Sequence, residues 1–331
     1  MSIQSALENL SVRRDLETQV AEDSFERLFT GQLSPAQSGA LLLGLRSKGE
    51  TAQEIRAAVQ AALKQARLVS CSQQKTIDTC GTGGDGKKSF NCSTAVALFL
   101  ADMGYNVVKH GNRAVSGNCG SADVIESLGL PFSEKPEEVL SHLQTSRFAF
   151  LFAPNFHPAF ASIAGIRQEL GIPTLFNLLG PLLNPARPSH QLLGVGKAVL
   201  VPLIADVLAM SGITRAAVVH SHSGFDELTP CGPADVALID NGQSRLTQLD
   251  PRKLGLPVSP ESELIFPERE ETLRVMRAVL AGKGPEAVQN MVALNLGLAL
   301  HLLEEEMTLQ DAVTLALDTV RRGTAGGRPD A

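Results

Sequence analysis

Asp78-Thr79-Cys80-Gly81-Thr82-Gly83-Gly84-Asp85-Gly86-Lys87-Lys88-Ser89-Phe90-Asn91-Cys92-Ser93-Thr94 packs four glycines, several hydroxyls, an amide and two lysines into one loop. A strand-like entry (Thr76, Ile77) precedes it, and an apolar run from Ala95 to Met103 follows it. Strand, polar glycine loop and helix together make an anion cradle. Glycine admits positive φ and close backbone approach. The N–H groups of the turn and of the next helix's first turn then point at the anion.

Two nucleotide motifs nearly fit. Gly81, Gly83 and Gly86 satisfy G-x-G-x-x-G, but in the dinucleotide fingerprint the helix opens within the glycines. Here Lys87-Lys88-Ser89-Phe90 intervene before the first of the helix caps available at Asn91, Ser93 or Thr94. Asp102, near the usual ribose-acid distance, falls inside the following helix. Gly81 to Lys87 matches G-x-x-x-x-G-K, but Lys88 stands where a P-loop needs Ser or Thr for magnesium. An ordinary strand-to-helix turn is the bland alternative. The polar run Asn91-Cys92-Ser93-Thr94 favours a phosphate ligand over it.

Outward from this loop the chain changes character. Residues 1 to about 70 carry helical spacing. Ser34-Pro35-Ala36-Gln37 and Thr51-Ala52-Gln53-Glu54 are helix starts with caps and capping-box partners. From Lys75 strands and helices alternate. Strands are expected at 76–78, 106–109, 148–152, 191–195 and 215–220, with helices at 93–103, 121–128, 136–145, 158–170 and 199–210. Such alternation predicts a largely parallel sheet flanked by helices. Phe176 to Pro185 is apolar yet full of Gly, Pro and Asn, and is expected to cross between domains. Residues 234–240, 245–249 and 264–266 suggest an antiparallel addition, and 268–282, 284–303 and 308–322 read as helices. The fold class is therefore α/β: a small all-helical N-terminal domain (1–72) plus a larger α/β domain (73–331) with a mostly parallel sheet.

The 331 residues are 44% apolar and 19% charged, as expected of a soluble globular chain. A formal charge of −6 excludes broad attraction to nucleic acid or membrane. With no Trp and one Tyr, a base-stacking platform is not expected. Five scattered cysteines without C-x-x-C spacing read as reduced thiols of a cytoplasmic protein.

Three loops carry chemistry. The first is Gly81–Thr94. The second, Lys109 to Ser121, follows another strand and holds Lys109, His110 and Arg113 beside glycines and hydroxyls. The third is Asp226-Glu227, beyond the 215–220 strand, at the end where open α/β sheets bind ligands. In a loop, adjacent carboxylates can hold two metal ions or two edges of one, and beside phosphates they favour Mg²⁺. Arg167 either packs on a helix surface or grips a small carboxylate bidentately. No nucleophile motif supports covalent catalysis. The residues thus describe a magnesium enzyme binding a phosphorylated or pyrophosphorylated small molecule.

In this order, Gly81-Thr82-Gly83-Gly84-Asp85-Gly86, Asn91-Cys92-Ser93-Thr94, Lys109-His110-Gly111-Asn112-Arg113, Gly120-Ser121-Ala122-Asp123, Phe176-Asn177-Leu178-Leu179-Gly180-Pro181 through Asn184-Pro185, and Gly224-Phe225-Asp226-Glu227 resemble the anthranilate phosphoribosyltransferases of tryptophan biosynthesis, across nearly the whole chain. The resemblance implies a homodimer in which helices from about 167–190 pack on the N-terminal domain. It implies transfer of the phosphoribosyl group of 5-phosphoribosyl 1-diphosphate (PRPP) to the amine of anthranilate. Gly81, Gly84, Asp85 and Ser89 would line the PRPP site, and Asn91, Cys92, Ser93 and Thr94 would hold its pyrophosphate. Lys109, His110, Gly111, Asn112, Arg113, Ala114, Val115, Ser116, Gly117 and Ser121 would form the other wall. Ser93, Asp226 and Glu227 would bind Mg²⁺, two ions per subunit. Gly81, Asn112 and Arg167 would contact anthranilate, with His110 and Arg167 as positioning groups. Departures from the usual pattern include Gly117 for a frequent Ser, Asn118 for a frequent Lys and Phe225 for a common Leu. Rival readings are a pyrimidine nucleoside phosphorylase, which would not need the carboxylate pair, and a nucleic-acid-binding relative, which should be basic.

Overall fold

The computed structural model describes residues 3–71, 74–113 and 119–327. Four helices come first: α1 (Ile3–Ser11), α2 (Thr18–Phe29), α3 (Pro35–Lys48) and α4 (Ala52–Lys64). Their starts follow from local chemistry. Ser34 accepts from the Gln37 N–H and Thr51 from the Glu54 N–H, each within a reciprocal capping box. The apolar faces bury Phe25, Leu41, Leu42, Leu45 and Ile55 completely. Glu54 is buried with them, but its carboxylate accepts from the Leu16 and Thr51 N–H groups and from Lys48 Nζ at 2.8–2.9 Å. A buried charge so engaged avoids most of its desolvation cost.

The alternating region follows: β1 (Thr76–Gly81), α5 (Cys92–Asp102), β2 (Asn106–Gly111), α6 (Ser121–Ser127), β3 (Phe132–Ser133), α7 (Pro136–Ser146), β4 (Phe148–Phe152), α8 (Ala153–Phe156), α9 (Ala161–Leu170), α10 (Phe176–Leu179), β5 (His190–Gly194), α11 (Leu200–Ala209) and β6 (Arg215–Ser221). The hairpin β7 (Ala234–Asp240) and β8 (Gln243–Leu249) comes next, then α12 (Arg269–Leu280), α13 (Glu286–Leu303) and α14 (Leu309–Arg322). Among the described residues eight strands form one sheet, ordered β3-β4-β2-β1-β5-β6-β7-β8. The pairs from β3 through β6 are parallel; β7 and β8 are antiparallel, as the antiparallel addition required. Asn241 and Gly242, at φ +45° and +84°, make the two-residue hairpin turn.

Residues 264–266 do not join that hairpin. Ile265 instead makes an isolated antiparallel bridge with Ser89, inside the glycine loop. The Phe90 N–H donates to the Leu264 carbonyl and the Phe266 N–H to the Lys88 carbonyl, both at 3.0 Å. These residues form a single bridge rather than a strand of the antiparallel addition, because a loop, not the sheet edge, takes their backbone.

The helix α13 runs behind the sheet with every residue buried except Glu286 and His301, consistent with its nearly unbroken apolar sequence. It anchors a core with α5, α14 and one sheet face, while α11 covers the other face. The core of α1–α4 also takes in Ile163, Leu175, Phe176, Leu179 and Leu183. The irregular 176–185 segment thus packs on the first helices. No helix among the described residues is long and apolar enough to cross a membrane.

Candidate active site

Strands β1 and β5 are neighbours, yet the chain leaves β1 toward β2 and arrives at β5 from β4 on the far side. That reversal opens a crevice at the carboxyl ends of the two strands, where ligands of open α/β sheets bind. Gly81 and Gly194 are register partners there, each the last residue of its strand. A Cβ on Gly194 would overlap the Asp226 carbonyl oxygen, and one on Gly81 would strike Asp226 Oδ2. Two bare backbones therefore let the loop after β6 fold across the strand ends.

Asp226 and Glu227 are locked to the glycine loop from that position. Asp226 Oδ2 accepts from the Gly83 N–H at 2.9 Å, and Glu227 Oε1 accepts from the Ser93 N–H at 3.2 Å. Burial pushes the Asp226 carboxyl up to about 7, with the Asp85 charge adding to the effect. Burial likewise holds Glu227 well above the usual carboxylate range, and Asp226 and Asp85 reinforce it. Glu227 Oε2 and Asp85 Oδ2 are buried without a hydrogen-bond donor among the described residues. Crowded carboxylates with donor-free oxygens suit a hard divalent cation. Among the described residues no group of three or more His, Cys, Asp or Glu side chains makes a metal cage. Magnesium needs none, because it takes one or two carboxylates and completes its shell with waters and substrate phosphates. A cavity of about 10 Å³, lined in part by Thr79, Ser93, Gly194, Asp226, Glu227 and Asn295, lies against the pair.

Gly83, Gly84 and Gly86 hold φ of +62°, +76° and +70°. The N–H groups of Gly84, Asp85 and Gly86 have no hydrogen-bond partner among the described residues. Consecutive free N–H groups in such a turn form an anion nest. Asn91 caps α5, its Oδ1 accepting from the Thr94 N–H at 3.3 Å, and its amide reaches the Cys119 carbonyl at 3.5 Å, tying the first loop to the second. Cys92 is completely buried, and its thiol faces the Met291 carbonyl in the core. Ser89 lies in the bridge with Ile265.

The second loop leaves β2. Lys109 is 2% exposed; its ammonium donates to the Thr79 carbonyl and, at 3.2 Å, to Ser93 Oγ. Burial lowers its pKa, and the charge of Asp78 opposes that shift. The lysine thus braces Ser93 from beneath. Gly111 allows Ser121, the first residue of α6, to close on β2, and the Asn112 carbonyl accepts from Ser121 Oγ at 3.4 Å. Asn112 Oδ1 turns back to the Arg113 N–H at 2.8 Å. The Arg113 guanidinium is engaged by Glu126 at 2.9 Å and Asp123 at 3.3 Å, on the side of α6. Ala114, Val115, Ser116 and Gly117 lie outside the described residues.

The end of β2 also meets the helical region. The His110 ring packs edge-on against His157 at 5.1 Å, and His157 against Phe160 at 5.6 Å. Phe160 joins Phe29 and Phe176 at 5.3 and 5.5 Å. Burial pushes His110 down to about 3, helped by the neighbouring His157, and His157 down to about 4. Both imidazoles are neutral at pH 7. The Arg167 guanidinium lies 5.2 Å over the Phe176 ring and has no ion-pair or hydrogen-bond partner among the described residues. Half-buried donors of this kind suit a small carboxylate.

Sequence reasoning gave no role to two supports of the site. Asn184 donates to Asp78 Oδ2 at 2.8 Å and to the Val108 carbonyl at 2.7 Å, pinning the crossover beneath the site. Asn295, in the middle of α13, accepts from the Leu228 N–H at 3.1 Å and donates to the Leu228 carbonyl at 2.8 Å. The signal available was a lone amide inside an apolar run.

The chain matches two family models: the a/b domain of a glycosyl transferase family over residues 73–326, and the helical bundle domain of such a family over residues 4–66. It is 52% identical to an anthranilate phosphoribosyltransferase of Nitratidesulfovibrio vulgaris, over 97% of this chain and 96% of that protein. A crystal structure of anthranilate phosphoribosyltransferase from Thermus thermophilus superposes with a TM-score of 0.88 at 36% identity, covering 97% of this chain and 96% of that one. The Saccharomyces cerevisiae enzyme in complex with PRPP and Mg gives a TM-score of 0.86 at 26% identity, covering 98% of this chain and 94% of that one. A second structure of the yeast enzyme, in complex with 4-fluoroanthranilate, matches with the same TM-score, identity and coverage.

Proposed function

The chain belongs to the anthranilate phosphoribosyltransferases, and from that premise we propose that it joins the amine of anthranilate to C1 of PRPP in tryptophan biosynthesis, releasing pyrophosphate. The observation that carries this reading is the placement of Asp226 and Glu227 against the glycine loop at the β1–β5 crevice, with a donor-free carboxylate oxygen and a free N–H nest side by side.

The nest at Gly84, Asp85 and Gly86, with Ser89 and Asn91–Thr94, receives the phosphate groups. Ser93, Asp226 and Glu227 would hold Mg²⁺, two ions per subunit, and the metal would supply neutralising charge for the departing pyrophosphate. Lys109 braces Ser93. Arg167 takes the anthranilate carboxylate, with Asn112, Gly81 and His110 beside it. The amine nitrogen bonds to C1 as the C1–oxygen bond breaks. The pyrophosphate leaves with the electron pair, and the nitrogen releases a proton. Anthranilate's amine is neutral at pH 7, so no strong base is required. Neutral His110 and His157 give the acceptor a wall without a competing charge, and positioning supplies much of the rate. We also propose that the protein works as a cytoplasmic homodimer, with 1–72 and the 167–190 segment as one domain and 73–331 as the other.

Loss of anthranilate fluorescence on mixing protein, anthranilate, PRPP and Mg²⁺ tests the reaction. Turnover should require both PRPP and Mg²⁺ and fall by about 10²-fold or more in Asp226→Asn/Glu227→Gln. A wild-type protein that binds PRPP yet leaves anthranilate untouched would sink the acceptor. Full activity in the double variant would sink the metal assignment.

A further inference from the structure

Lys87 follows the glycines but has no part in the chemistry above. Its ammonium lies 2.8 Å from Glu261 Oε2 and 5.1 Å from the centroid of the Phe225 ring. Its backbone N–H donates to Asp85 Oδ1 at 3.0 Å. Its stem passes Gly224, where a Cβ would stand 3.2 Å from Lys87 Cε and where φ is +88°. The side chain therefore reaches from the glycine loop to two other segments: the Gly224-Phe225 turn just before Asp226, and the connector that carries Glu261.

That connector holds the glycine loop by its backbone as well, through the Leu264–Phe90 and Phe266–Lys88 hydrogen bonds. Lys88 sits at φ +49°, a conformation that non-glycine residues keep only when their surroundings enforce it. The loop is thus shaped from outside. The N–H nest and the Asp226–Glu227 pair would share one magnesium pyrophosphate, so the spacing between the two loops decides how well both bind it.

We infer that Lys87 is a positioning residue for Mg²⁺-bound PRPP: clamped between Phe225 and Glu261, it sets the distance between the glycine loop and the carboxylate loop. The inference rests on the PRPP reading of the site. Lys87 acts through the two loops and does not touch the substrate.

Lys87→Met keeps the stem and removes the charge, Lys87→Arg keeps charge and ring contact, and Glu261→Gln removes the counter-charge. Steady-state kinetics and PRPP titration in the presence of Mg²⁺ are read beside thermal unfolding. Lys87→Met and Glu261→Gln should each raise KM and Kd for PRPP about three- to tenfold, as loss of a partly screened ion pair and a cation–π contact predicts. In both variants kcat and the unfolding midpoint should stay near wild type. Lys87→Arg should restore binding, and the double variant should be no worse than the poorer single one. Unchanged PRPP affinity in Lys87→Met would overturn the clamp. So would a loss confined to Lys87→Met with Glu261→Gln unaffected, which would mean that the ammonium meets the pyrophosphate directly. A wild type that does not bind PRPP at all would overturn the reading of the site itself, a result distinct from either of these.

Discussion

At Gly194 even a methyl group would collide with the backbone of the loop that carries Asp226 and Glu227, whereas at Gly165, inside α9, it would meet open space. The two positions separate glycine as clearance from glycine as a helix weakness. Gly194→Ala must move the carboxylate loop or the strand end, so we expect a stability loss of about 1–3 kcal/mol and a clear weakening of Mg²⁺-dependent PRPP binding. Gly165→Ala should leave stability unchanged or raise it by about 0.5–1 kcal/mol. Urea unfolding and PRPP titration of both variants check the pair; equal stability losses would contradict the distinction. The glycine loop and the Asp226-Glu227 pair were legible in the sequence because glycine, hydroxyl and carboxylate each say what they can do. Gly194 was not legible. It closes an ordinary apolar strand, and only the fold brings the Asp226 backbone against it.

Helix starts were equally legible, because a cap and its partner lie three residues apart, as at Ser34 and Thr51. Longer-range assignments failed where a distant partner decides. Residues 264–266 have strand composition, but the Lys88 and Phe90 backbone takes them. The two-residue strand β3 exists only through its pairing with Phe150 and Leu151. Asn295 is the instance beside the candidate site. Its amide reaches 67 residues back along the chain to Leu228, directly after Glu227, and so ties the carboxylate loop to the buried helix α13. Asn295→Ala leaves the Leu228 N–H and carbonyl buried without their partner. We expect a loss of about 2–4 kcal/mol and a rise in the Mg²⁺ concentration needed for half-maximal activity. Asn295→Ala with a normal Mg²⁺ profile would show that α13 supports the fold but not the loop.

Across the whole molecule, the contact of β2 with the helical region runs through neutral, buried imidazoles. Above pH 6.5 His110 and His157 are neutral in both folded and unfolded chains, so they leave stability independent of pH. Below it the unfolded chain takes up protons that the folded protein refuses down to about 4 at His157 and about 3 at His110. Stability should therefore fall with acidification, by up to about 1.4 kcal/mol per pH unit for each histidine. Asp226, raised to about 7, works in the opposite sense between its unfolded value and pH 7. The comparison of wild type with His157→Phe isolates the histidine contribution. Between pH 7.5, 6.5 and 5.5 the urea midpoint of wild type should fall by more than that of His157→Phe, and parallel curves would mean that His157 titrates alike in the folded and unfolded chains.

The register of Gly81 against Gly194 has a consequence in time. It joins positions 113 residues apart (194 − 81), with β2, β3 and β4 formed from the chain between them. The helices α1–α4 can gather from neighbouring sequence, but the crevice has no existence until that distant pairing closes. Local contacts form fast and distant ones slowly. A chain emerging during synthesis is therefore helical well before it can hold a substrate, and catalytic competence arrives among the last events of folding.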